Sequence, residues 1–422
     1  MKTELLKKAL WADLRIWERV ELIILALVAI CIPISWAWAT KAIILLLVVS
    51  VCKMISSRHV GNRALDRISK SAILLVICYF AIYLISLLYS ENLSEGWKCI
   101  EKKLPFLLIP LVFLCSDLSY LKKNHIRAIL YLFNTSLTIR FIIRFILMSV
   151  KVITQTHTIK SFFGVFDPMH HAYLAMYTLM AIAFIYTELI SIGKDAKRWS
   201  IWLLLTDMAI MVAYTMFIQS RAGVLCMVLL FAGMLGHLFF IQKKKKLAVI
   251  ITLVMLVGGA GYMLVTNSLK SGNRLSNTMK EVSSGDHSDV RFEIWSNAAE
   301  TISENLPWGV GAGDRFDVLK ANYPDSTSGS KLKESHIYNP HNQYLDTTLS
   351  TGIPGTLILL SILVLPLYKK IRNKGTKVYF QYLIPLIFII ALSAPFESIF
   401  ERQMGVIFFC YFYCLFHVRE EA

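Results

Sequence analysis

Residues 247–265 read LAVIITLVMLVGGAGYMLV, an apolar stretch without a charged side chain. Its length is close to the roughly 20 residues with which a helix crosses the hydrocarbon core of a bilayer. Similar stretches recur along the 422-residue chain, which is 56% hydrophobic and only 17% charged. A soluble domain of average composition carries about 25% charged residues. The composition therefore indicates a protein embedded in a membrane.

The apolar stretches predict about 12 transmembrane helices. A membrane-spanning chain must satisfy its backbone hydrogen bonds internally, which only helices and closed barrels do, and the alternating pattern of a barrel is missing. The spans are placed near residues 20–37, 38–54, 72–89, 104–116, 128–149, 170–187, 200–218, 222–241, 247–265, 344–367, 378–394 and 404–417. The predicted fold class is an all-α polytopic membrane protein, with residues 1–422 forming a single integral membrane domain.

The distribution of lysine and arginine predicts how the spans are oriented. Basic residues concentrate in alternate short loops, as in the Lys243–Lys246 run, and such an excess marks cytoplasmic loops. With the N-terminus inside, residues 266–343 form one long outer loop between spans nine and ten. The lysines and arginines of the predicted cytoplasmic loops, which face anionic lipids, then account for most of the net charge of +16. We expect membrane lipids as partners and no nucleic acid.

The eight cysteines predict neither a disulfide framework nor a metal site. Only Cys99 falls in a predicted outer loop, while the others lie in or beside spans. No cysteine pair has histidines at the spacing of a zinc site. The outer loop also shows no carboxylate-rich metal cage, and we expect no metal and no cofactor.

An arginine stands near the start of the long outer loop. It belongs to the sequence Asp289-Val-Arg291-Phe-Glu-Ile-Trp295. Apolar residues recur on a four-residue step from 290 to 302, which predicts a helix there. Arg291 is either a surface charge paired with Asp289 or Glu293, or a contact for an anionic substrate.

A histidine stands at the other end of the same loop. His341 follows Pro340 and precedes span ten by only a few residues, so we expect it at the membrane surface. It is either an interfacial or helix-capping histidine, or a general base that stays neutral beside arginines. Asn342 offers a side chain that could orient the imidazole ring.

Arg221 occupies the tight outer turn between spans seven and eight, in Gln219-Ser220-Arg221-Ala222-Gly223. An arginine side chain at this depth can place its charged group at the interface while its aliphatic part stays in the apolar layer. Alternatively, its guanidinium contacts phosphate in a bidentate manner. The turn leaves no loop length to carry Arg221 away from the membrane.

Further charged residues lie within or beside the spans. Arg140 and Arg144 are one helical turn apart in span five, where each charge costs about 2.5–3.5 kcal/mol at mid-bilayer. They are expected to face a polar interior, either as structural counter-charges with Asp207 as a possible partner, or as an anion-binding wall. His170 at the outer mouth of span six and Glu397 in the last outer loop are further substrate-binding candidates.

A glycine cluster follows the predicted helix of the outer loop, in Pro307-Trp-Gly309-Val-Gly311-Ala-Gly313. It is only superficially similar to a phosphate-binding loop, because no strand precedes it and no Lys-Ser/Thr follows. We interpret it as a turn at which the backbone passes close to other segments.

Taken in order, these motifs resemble the O-antigen ligase and O-antigen polymerase superfamily. The matching segments are Ser220-Arg221-Ala222-Gly223, Arg291-Phe-Glu-Ile-Trp295, Pro307 to Gly313, His341-Asn342-Gln-Tyr-Leu345 and Thr351-Gly352-Ile-Pro-Gly355. The motif-bearing part covers about 220–355, while the earlier spans are similar in hydropathy alone.

The resemblance implies an inverting, metal-independent glycosyltransferase of the membrane-embedded GT-C type in the bacterial inner membrane, with its active site facing the periplasm. The donor is a glycan on undecaprenyl diphosphate. A ligase passes it to a sugar hydroxyl of lipid A-core during lipopolysaccharide assembly, whereas a polymerase passes it to another carrier-linked repeat. By motif, Arg221 and Arg291 would hold the diphosphate and His341 would take the acceptor proton. Apart from the motifs, Arg140, Arg144, Asn342, His170 and Glu397 are expected as contacts of the diphosphate or glycan.

Several functions remain open at this stage. One sizeable outer loop before span ten favours the ligase over the polymerase, whose outer residues are often divided between two long loops. A protein O-glycosyltransferase is a third enzymatic alternative, although such proteins usually carry additional outer sequence. A transporter of lipid-linked glycans is an alternative of another class, suggested by the intramembrane arginines. No repeat between the two halves of the chain supports the transporter.

Overall fold

The computed structural model describes residues 14–154, 167–193, 197–268, 290–322, 339–372 and 379–418. These ranges are helical and contain no β-strand, which confirms the all-α prediction. The helices are α1 (Ile16–Cys31), α2 (Trp36–Ser57), α3 (Arg67–Ser86), α4 (Leu93–Lys103), α5 (Pro105–Cys115), α6 (Lys123–Ile153), α7 (His171–Ser191), α8 (Arg198–Phe217), α9 (Arg221–Gly236), α10 (Lys245–Ser268), α11 (Val290–Glu304), α12 (Arg315–Asn322), α13 (Gln343–Arg372), α14 (Phe380–Ser393) and α15 (Gln403–His417).

Among the described residues, seven helices are long and apolar enough to cross a membrane. They are Trp36–Ser57, Ser69–Tyr89, Lys123–Lys151, His171–Ser191, Arg198–Phe217, Arg221–Ile241 and Gln343–Ile371. The apolar helices α14 and α15 are shorter. A multi-pass membrane protein is therefore confirmed, whereas the count of about 12 spans and their orientation stay predictions. Much of the predicted outer loop, residues 269–289 and 323–338, lies outside the described ranges.

The boundary between the first two spans differs from the predicted one. Helix α1 ends at Cys31 and α2 begins at Trp36, whereas the sequence placed the boundary after residue 37. The Ser35 N–H donates to the Cys31 carbonyl at 2.9 Å in the intervening turn. Pro33 has no backbone N–H and disfavours a helical conformation in the residue before it. The proline therefore ends the first helix several residues early.

The described residues group into two compact units. One comprises residues within 1–28, 36–128 and 288–422, and the other those within 29–35 and 129–287. In the first unit, α3 packs against α13, and α5 packs against α15. Tyr79 on α3 hydrogen-bonds Thr347 on α13 at 2.7 Å, and the rings of Phe106 and Phe400 meet edge to face. A polar and aromatic core thus joins the N-terminal helices to the C-terminal ones.

The second unit is built around α7, 89% of whose apolar span is buried. Helices α8 and α9 pack against it. The Thr178 and Thr215 hydroxyls hydrogen-bond at 2.8 Å between α7 and α8. A Cβ on Gly223 would lie 2.5 Å from the Cβ of Ala175, so the glycine permits the close approach of α9 to α7.

Helix α13 is not one straight span. Gly352 has φ 64° and ψ −154°, a conformation that is essentially restricted to glycine. Pro354 follows two residues later and removes another backbone donor from the helix. The sequence predicted an uninterrupted span from 344 to 367. The structure instead divides it into a short first segment, Gln343 to Thr351, and a longer segment after the break.

Candidate active site

The turn that carries His341 is held by contacts with two other segments of the first unit. The Asn339 side-chain oxygen accepts hydrogen bonds from the His341 N–H at 2.8 Å and from the Ser398 hydroxyl at 2.6 Å. The Trp295 indole donates to the Pro340 carbonyl at 2.9 Å. His341 itself has a positive φ of 49°, which is uncommon for a residue with a side chain. The surrounding hydrogen bonds fix the backbone of the turn from which the imidazole projects.

The residues after His341 anchor the turn to the start of α13. The Asn342 side-chain oxygen accepts from the backbone N–H groups of Tyr344 and Leu345 at 3.0 and 3.2 Å. Asn342 therefore caps the helix in the manner of an N-cap residue. The Gln343 N–H donates to the Ala394 carbonyl at 2.7 Å, which attaches the helix start to the end of α14. The sequence suggested Asn342 as the group that orients the imidazole, whereas its oxygen is engaged by the helix backbone.

The acidic partner of the imidazole is Glu397. Its Oε1 lies 3.6 Å from His341 Nδ1, and the two side chains are 10% and 30% exposed. Nδ1 is buried and makes no hydrogen bond within the described part of the chain. The separation is slightly longer than a hydrogen bond, but catalytic hydrogen bonds are often long before substrate binds. A carboxylate at Nδ1 can orient the ring and stabilise the imidazolium that forms when the other nitrogen takes a proton.

Arg291 is placed near the His341 turn by helix α11. The sequence predicted a helix over 290–302, and the structure confirms one from Val290 to Glu304. Arg291 and Trp295 are four residues apart and so lie on the same helix face. Because the Trp295 indole bonds Pro340, this face of α11 is directed at the His341 turn. The half-buried Arg291 lies on the same face of α11, one helical turn before Trp295.

The glycine cluster acts as predicted, as a point of close backbone contact. The Val310 N–H donates to the Leu349 carbonyl at 2.8 Å, and the Ile353 N–H donates to the Pro307 carbonyl at 2.9 Å. A Cβ on Gly309 would lie 2.5 Å from the Leu349 oxygen. These contacts fasten the segment after α11 to the break in α13. The glycine turn therefore helps to hold α13, which begins directly after the His341 turn, in place.

A buried charged cluster, Arg315 with Asp346 and Glu401, lies in the same unit. Arg315 is 2% exposed, its Nη2 pairs with the Glu401 carboxylate, and its Nε lies 3.7 Å from Asp346 Oδ1. It also donates to Cys99 Sγ at 3.0 Å. Lys102 reaches the other Glu401 oxygen at 2.8 Å. The cluster joins α4, α12, α13 and the segment before α15.

Electrostatics keep the Glu401 carboxylate ionised. Its burial by itself raises the pKa, but the positive charges of Arg315, Lys103 and Lys102 outweigh burial and hold the pKa below its ordinary value. Lys103 adds a hydrogen bond from its ammonium to the Phe400 carbonyl at 3.0 Å. The segment that carries Glu397 is thus fixed a few residues away by a charged contact.

Sequence reasoning did not identify Arg315 as a buried residue. It follows the glycine cluster in an apparently polar stretch, Gly313-Asp-Arg315, and no periodicity distinguishes it from a surface arginine. Its partners lie 31 and 86 residues downstream. The outer Lys102-Lys103 pair and Glu401 were the available signals, but only the fold brings them together.

In the second unit, Arg140 is matched by Asp167. Its Nε donates to Asp167 Oδ2 at 2.9 Å, and a second guanidinium nitrogen pairs with Oδ1. A third nitrogen donates to the carbonyls of Pro33 and Ile34 at 3.0 and 2.9 Å. Arg144 Nε lies 3.9 Å from Asp167 Oδ2. Of the two interpretations of Arg140, this geometry favours the structural counter-charge.

The suggestion of Asp207 as the partner of Arg140 was wrong. Asp207 accepts a hydrogen bond from Thr138 at 2.8 Å and another from Asn134. Asn134 and Thr138 are one turn apart on α6, and Arg140, two residues after Thr138, lies about 200° further round the helix. Asp207 therefore contacts a different face of α6 from the one that carries the arginine.

Arg221 begins helix α9 as predicted, directly after a tight turn. Gln219 has a positive φ of 54°, and the Ser220 hydroxyl accepts from the Gly223 N–H at 3.1 Å. Arg221 is exposed at the helix start, where unpaired backbone N–H groups also favour an anion. His170 immediately precedes α7 in the same unit.

The structure brings His341 and Glu397 into contact and directs the helix face of Arg291 at the same turn. Arg221, Arg140, Arg144 and His170 belong to the second unit. Their convergence with His341 stays a prediction.

Comparison with known proteins agrees with the motifs. Residues 208–360 match the family model described as O-antigen ligase, which confirms the resemblance to the O-antigen ligase and polymerase superfamily. A protein of Haemophilus influenzae described as uncharacterized is 28% identical over 156 residues. That alignment covers 33% of this chain and 37% of the relative, so the chain spans well under half of the length of the protein that it matches.

Proposed function

We propose that this protein is an O-antigen ligase, which transfers a glycan from undecaprenyl diphosphate to a sugar hydroxyl of lipid A-core. The observation that carries the proposal is the His341–Glu397 pair, 3.6 Å apart at the start of α13. The pair has the parts of a general base and its orienting carboxylate. His341 lies in the segment that matches the superfamily motifs, and Glu397 follows it in the chain.

In the proposed reaction, the acceptor oxygen attacks the anomeric carbon of the donor glycan. The bond from that carbon to the diphosphate oxygen breaks, the configuration inverts, and His341 takes the proton of the acceptor hydroxyl. Glu397 stabilises the resulting imidazolium. The lipid diphosphate leaves with the bonding electron pair.

Arg291 and Arg221 are the proposed contacts of the diphosphate. The leaving group gains negative charge as the glycosidic bond breaks, and positioned guanidinium groups stabilise such charge without a metal ion. Arg291 lies on the helix face that is directed at the His341 turn, which supports this role. Arg221 combines a guanidinium with a helix start. The donor carries its own activation, so the reaction needs no ATP.

An O-antigen polymerase remains the second candidate, since the same geometry serves a carrier-linked acceptor. The case for a glycan transporter is weaker than the sequence suggested. It depended on intramembrane arginines, and Arg140 is engaged by Asp167 and two backbone carbonyls. A general-base pair is also not required for transport.

The deciding experiment supplies purified protein with a carrier-linked glycan and either lipid A-core or a second carrier-linked repeat. We expect extension of lipid A-core. Extension of the carrier-linked repeat alone would identify a polymerase, and movement of intact donor across the membrane without transfer would identify a transporter. His341→Ala is the matched negative control, expected to lower transfer about 10²- to 10⁴-fold while donor binding is retained. Addition of a chelator should leave transfer unchanged.

A further inference from the structure

The first unit contains a cavity of about 640 Å³ beside the His341 turn. This volume falls in the roughly 300–1,000 Å³ range of small-molecule sites. The lining residues are Trp36, Lys98, Glu101, Lys102, Phe316, Asn339, Glu401, Arg402, Gln403 and Met404. All of them belong to segments that the charge distribution places on the outer side. The proposed catalytic roles do not account for this cavity.

The lining combines aromatic rings with hydrogen-bonding groups. Trp36 is 48% exposed, and together with Phe316 it offers apolar ring surface. The Gln403 side-chain oxygen is buried and has no hydrogen-bond partner in the described chain. A buried acceptor without a donor is costly unless a ligand or water supplies one. Ring faces beside hydrogen-bonding amides suit the C–H faces and hydroxyl groups of a sugar.

The charges of the lining differ in how they are compensated. Lys98 pairs with Glu95 at 2.6 Å, and Lys102 pairs with Glu401 at 2.8 Å. Arg402 is exposed, and no carboxylate of the described residues pairs with it. Glu101 is also exposed and remains available as an acceptor for sugar hydroxyls. Arg402 is therefore the cation that best fits an anionic group on the ligand, in the bidentate manner of guanidinium with phosphate or carboxylate.

The position of the cavity favours the acceptor, rather than the donor, as the substrate that it binds. Asn339 lines the cavity and its side-chain oxygen accepts from the His341 N–H at 2.8 Å. The cavity wall is thus continuous with the turn that carries the general base. An acceptor hydroxyl has to reach that base. The arginines proposed for the donor diphosphate, Arg221 and Arg291, do not line the cavity.

We infer that this cavity binds the glycan of the acceptor, an oligosaccharide that carries an anionic group directed to Arg402. The inference rests on the proposed function. Trp36 and Phe316 contact the sugar rings, and Gln403 accepts from a hydroxyl. The cavity positions the acceptor and takes no part in proton transfer.

The test measures binding and transfer separately with full-length protein in detergent or nanodiscs. The probe for binding is a phosphorylated core oligosaccharide released from its lipid, compared with the same oligosaccharide after phosphatase treatment. We expect Trp36→Ala to weaken binding of the phosphorylated probe about tenfold. We expect Arg402→Gln to abolish the preference for the phosphorylated form. The same variants raise the acceptor KM and leave the donor KM unchanged.

Trp38→Ala is the matched control, because Trp38 is on the same helix, is 60% exposed and does not line the cavity. Gln403→Ala is a further variant of the cavity lining. The Gln403 side-chain oxygen makes no hydrogen bond within the described chain, so the substitution removes none there. Thermal melting verifies that each variant is folded.

The outcomes separate this inference from the proposed function. If transfer proceeds but Trp36→Ala and Arg402→Gln behave like Trp38→Ala, the cavity assignment is overturned and the ligase proposal is untouched. If the donor KM changes instead, the cavity belongs to the donor. If no acceptor is extended while the variants still lose probe binding, the ligase proposal fails, and the cavity is a glycan site unconnected with transfer.

Discussion

Glu397 Oε1 lies 3.6 Å from His341 Nδ1, although the two residues come from segments more than fifty positions apart. The contact is possible because Asn339 holds the His341 turn against the Ser398 hydroxyl, and the Gln343 N–H holds it against the Ala394 carbonyl. The carboxylate thus faces one imidazole nitrogen, and in the proposed reaction the other nitrogen takes the acceptor proton.

Glu397→Gln is expected to lower kcat by roughly tenfold or more, with a much smaller change in the KM of either substrate. The amide cannot stabilise an imidazolium as a carboxylate does. In a His341→Ala background the same substitution should add little, because the two residues act as a unit. Glu91→Gln, an exposed carboxylate on the same predicted side, is the control. Equal losses of kcat from Glu397→Gln in both backgrounds would contradict a positioning role.

Arg291→Ala is expected to raise the donor KM about tenfold or more, because a charge-assisted contact to the diphosphate is lost. The acceptor KM and the melting temperature should change little, since the side chain is only half-buried. Steady-state kinetics with each substrate varied in turn measure the effect. A variant with unchanged donor KM and kcat would remove Arg291 from the diphosphate site.

Arg315→Ala, by contrast, is expected to destabilise the fold by about 3–5 kcal/mol, because it leaves the buried Asp346 carboxylate without its arginine and Glu401 with lysine partners alone. Arg315 is 2% exposed and Asp346 is fully buried. Chemical denaturation in detergent, with Arg291→Ala as the matched arginine variant, measures the difference. Equal stability of the two variants would show that the cluster contributes nothing to folding.

Acid should weaken the same cluster. The pKa of Glu401 is lowered in the folded state because Arg315, Lys103 and Lys102 outweigh burial. A carboxylate whose folded pKa is depressed contributes stability above its unfolded value, near 4.3, and loses that contribution as the pH falls through the folded pKa. We expect the melting temperature to fall below about pH 4.3 in wild type and less steeply in Glu401→Gln. Parallel pH profiles would contradict this assignment.

Gly352→Ala is expected to destabilise the protein by about 1–3 kcal/mol or more, because its backbone conformation is essentially restricted to glycine. A Cβ there would also collide with the Pro307 carbonyl oxygen. Gly233→Ala is the control, since a Cβ at Gly233 meets nothing within 4 Å. Denaturation of the two variants measures the difference, and a neutral Gly352→Ala would mean that the close contact between the glycine turn and α13 is not required.

The sequence predicted the elements more reliably than their ends. The apolar stretches place each predicted span on a helix, and the four-residue step of 290–302 placed α11 to within two residues of its end. The boundary at Pro33 and the break at Gly352 were missed, because hydropathy averages over many residues. Both depend on the backbone conformation of one or two positions.

The candidate site was predicted in part. His341, Arg291 and Glu397 were identified by residue type and place in the chain, and the structure gives His341 and Glu397 a contact. Asp207 was suggested as a possible partner of Arg140, but it contacts the face of α6 that carries Asn134 and Thr138. Arg315 was not singled out, because a fully buried arginine looks like a surface arginine until its distant carboxylates are known.

The sequence by itself determined that this chain is helical and embedded in a membrane, since bilayer-length apolar segments without the alternation of a barrel must be helical to satisfy their backbone groups in lipid. It also determined which motifs stand at the ends of the long polar stretch. The tertiary structure decided which charges meet, namely Glu397 with His341, Asp167 with Arg140 and Glu401 with Arg315. Pairing depends on depth and orientation in three dimensions, and neither is encoded in the spacing of two residues along the chain.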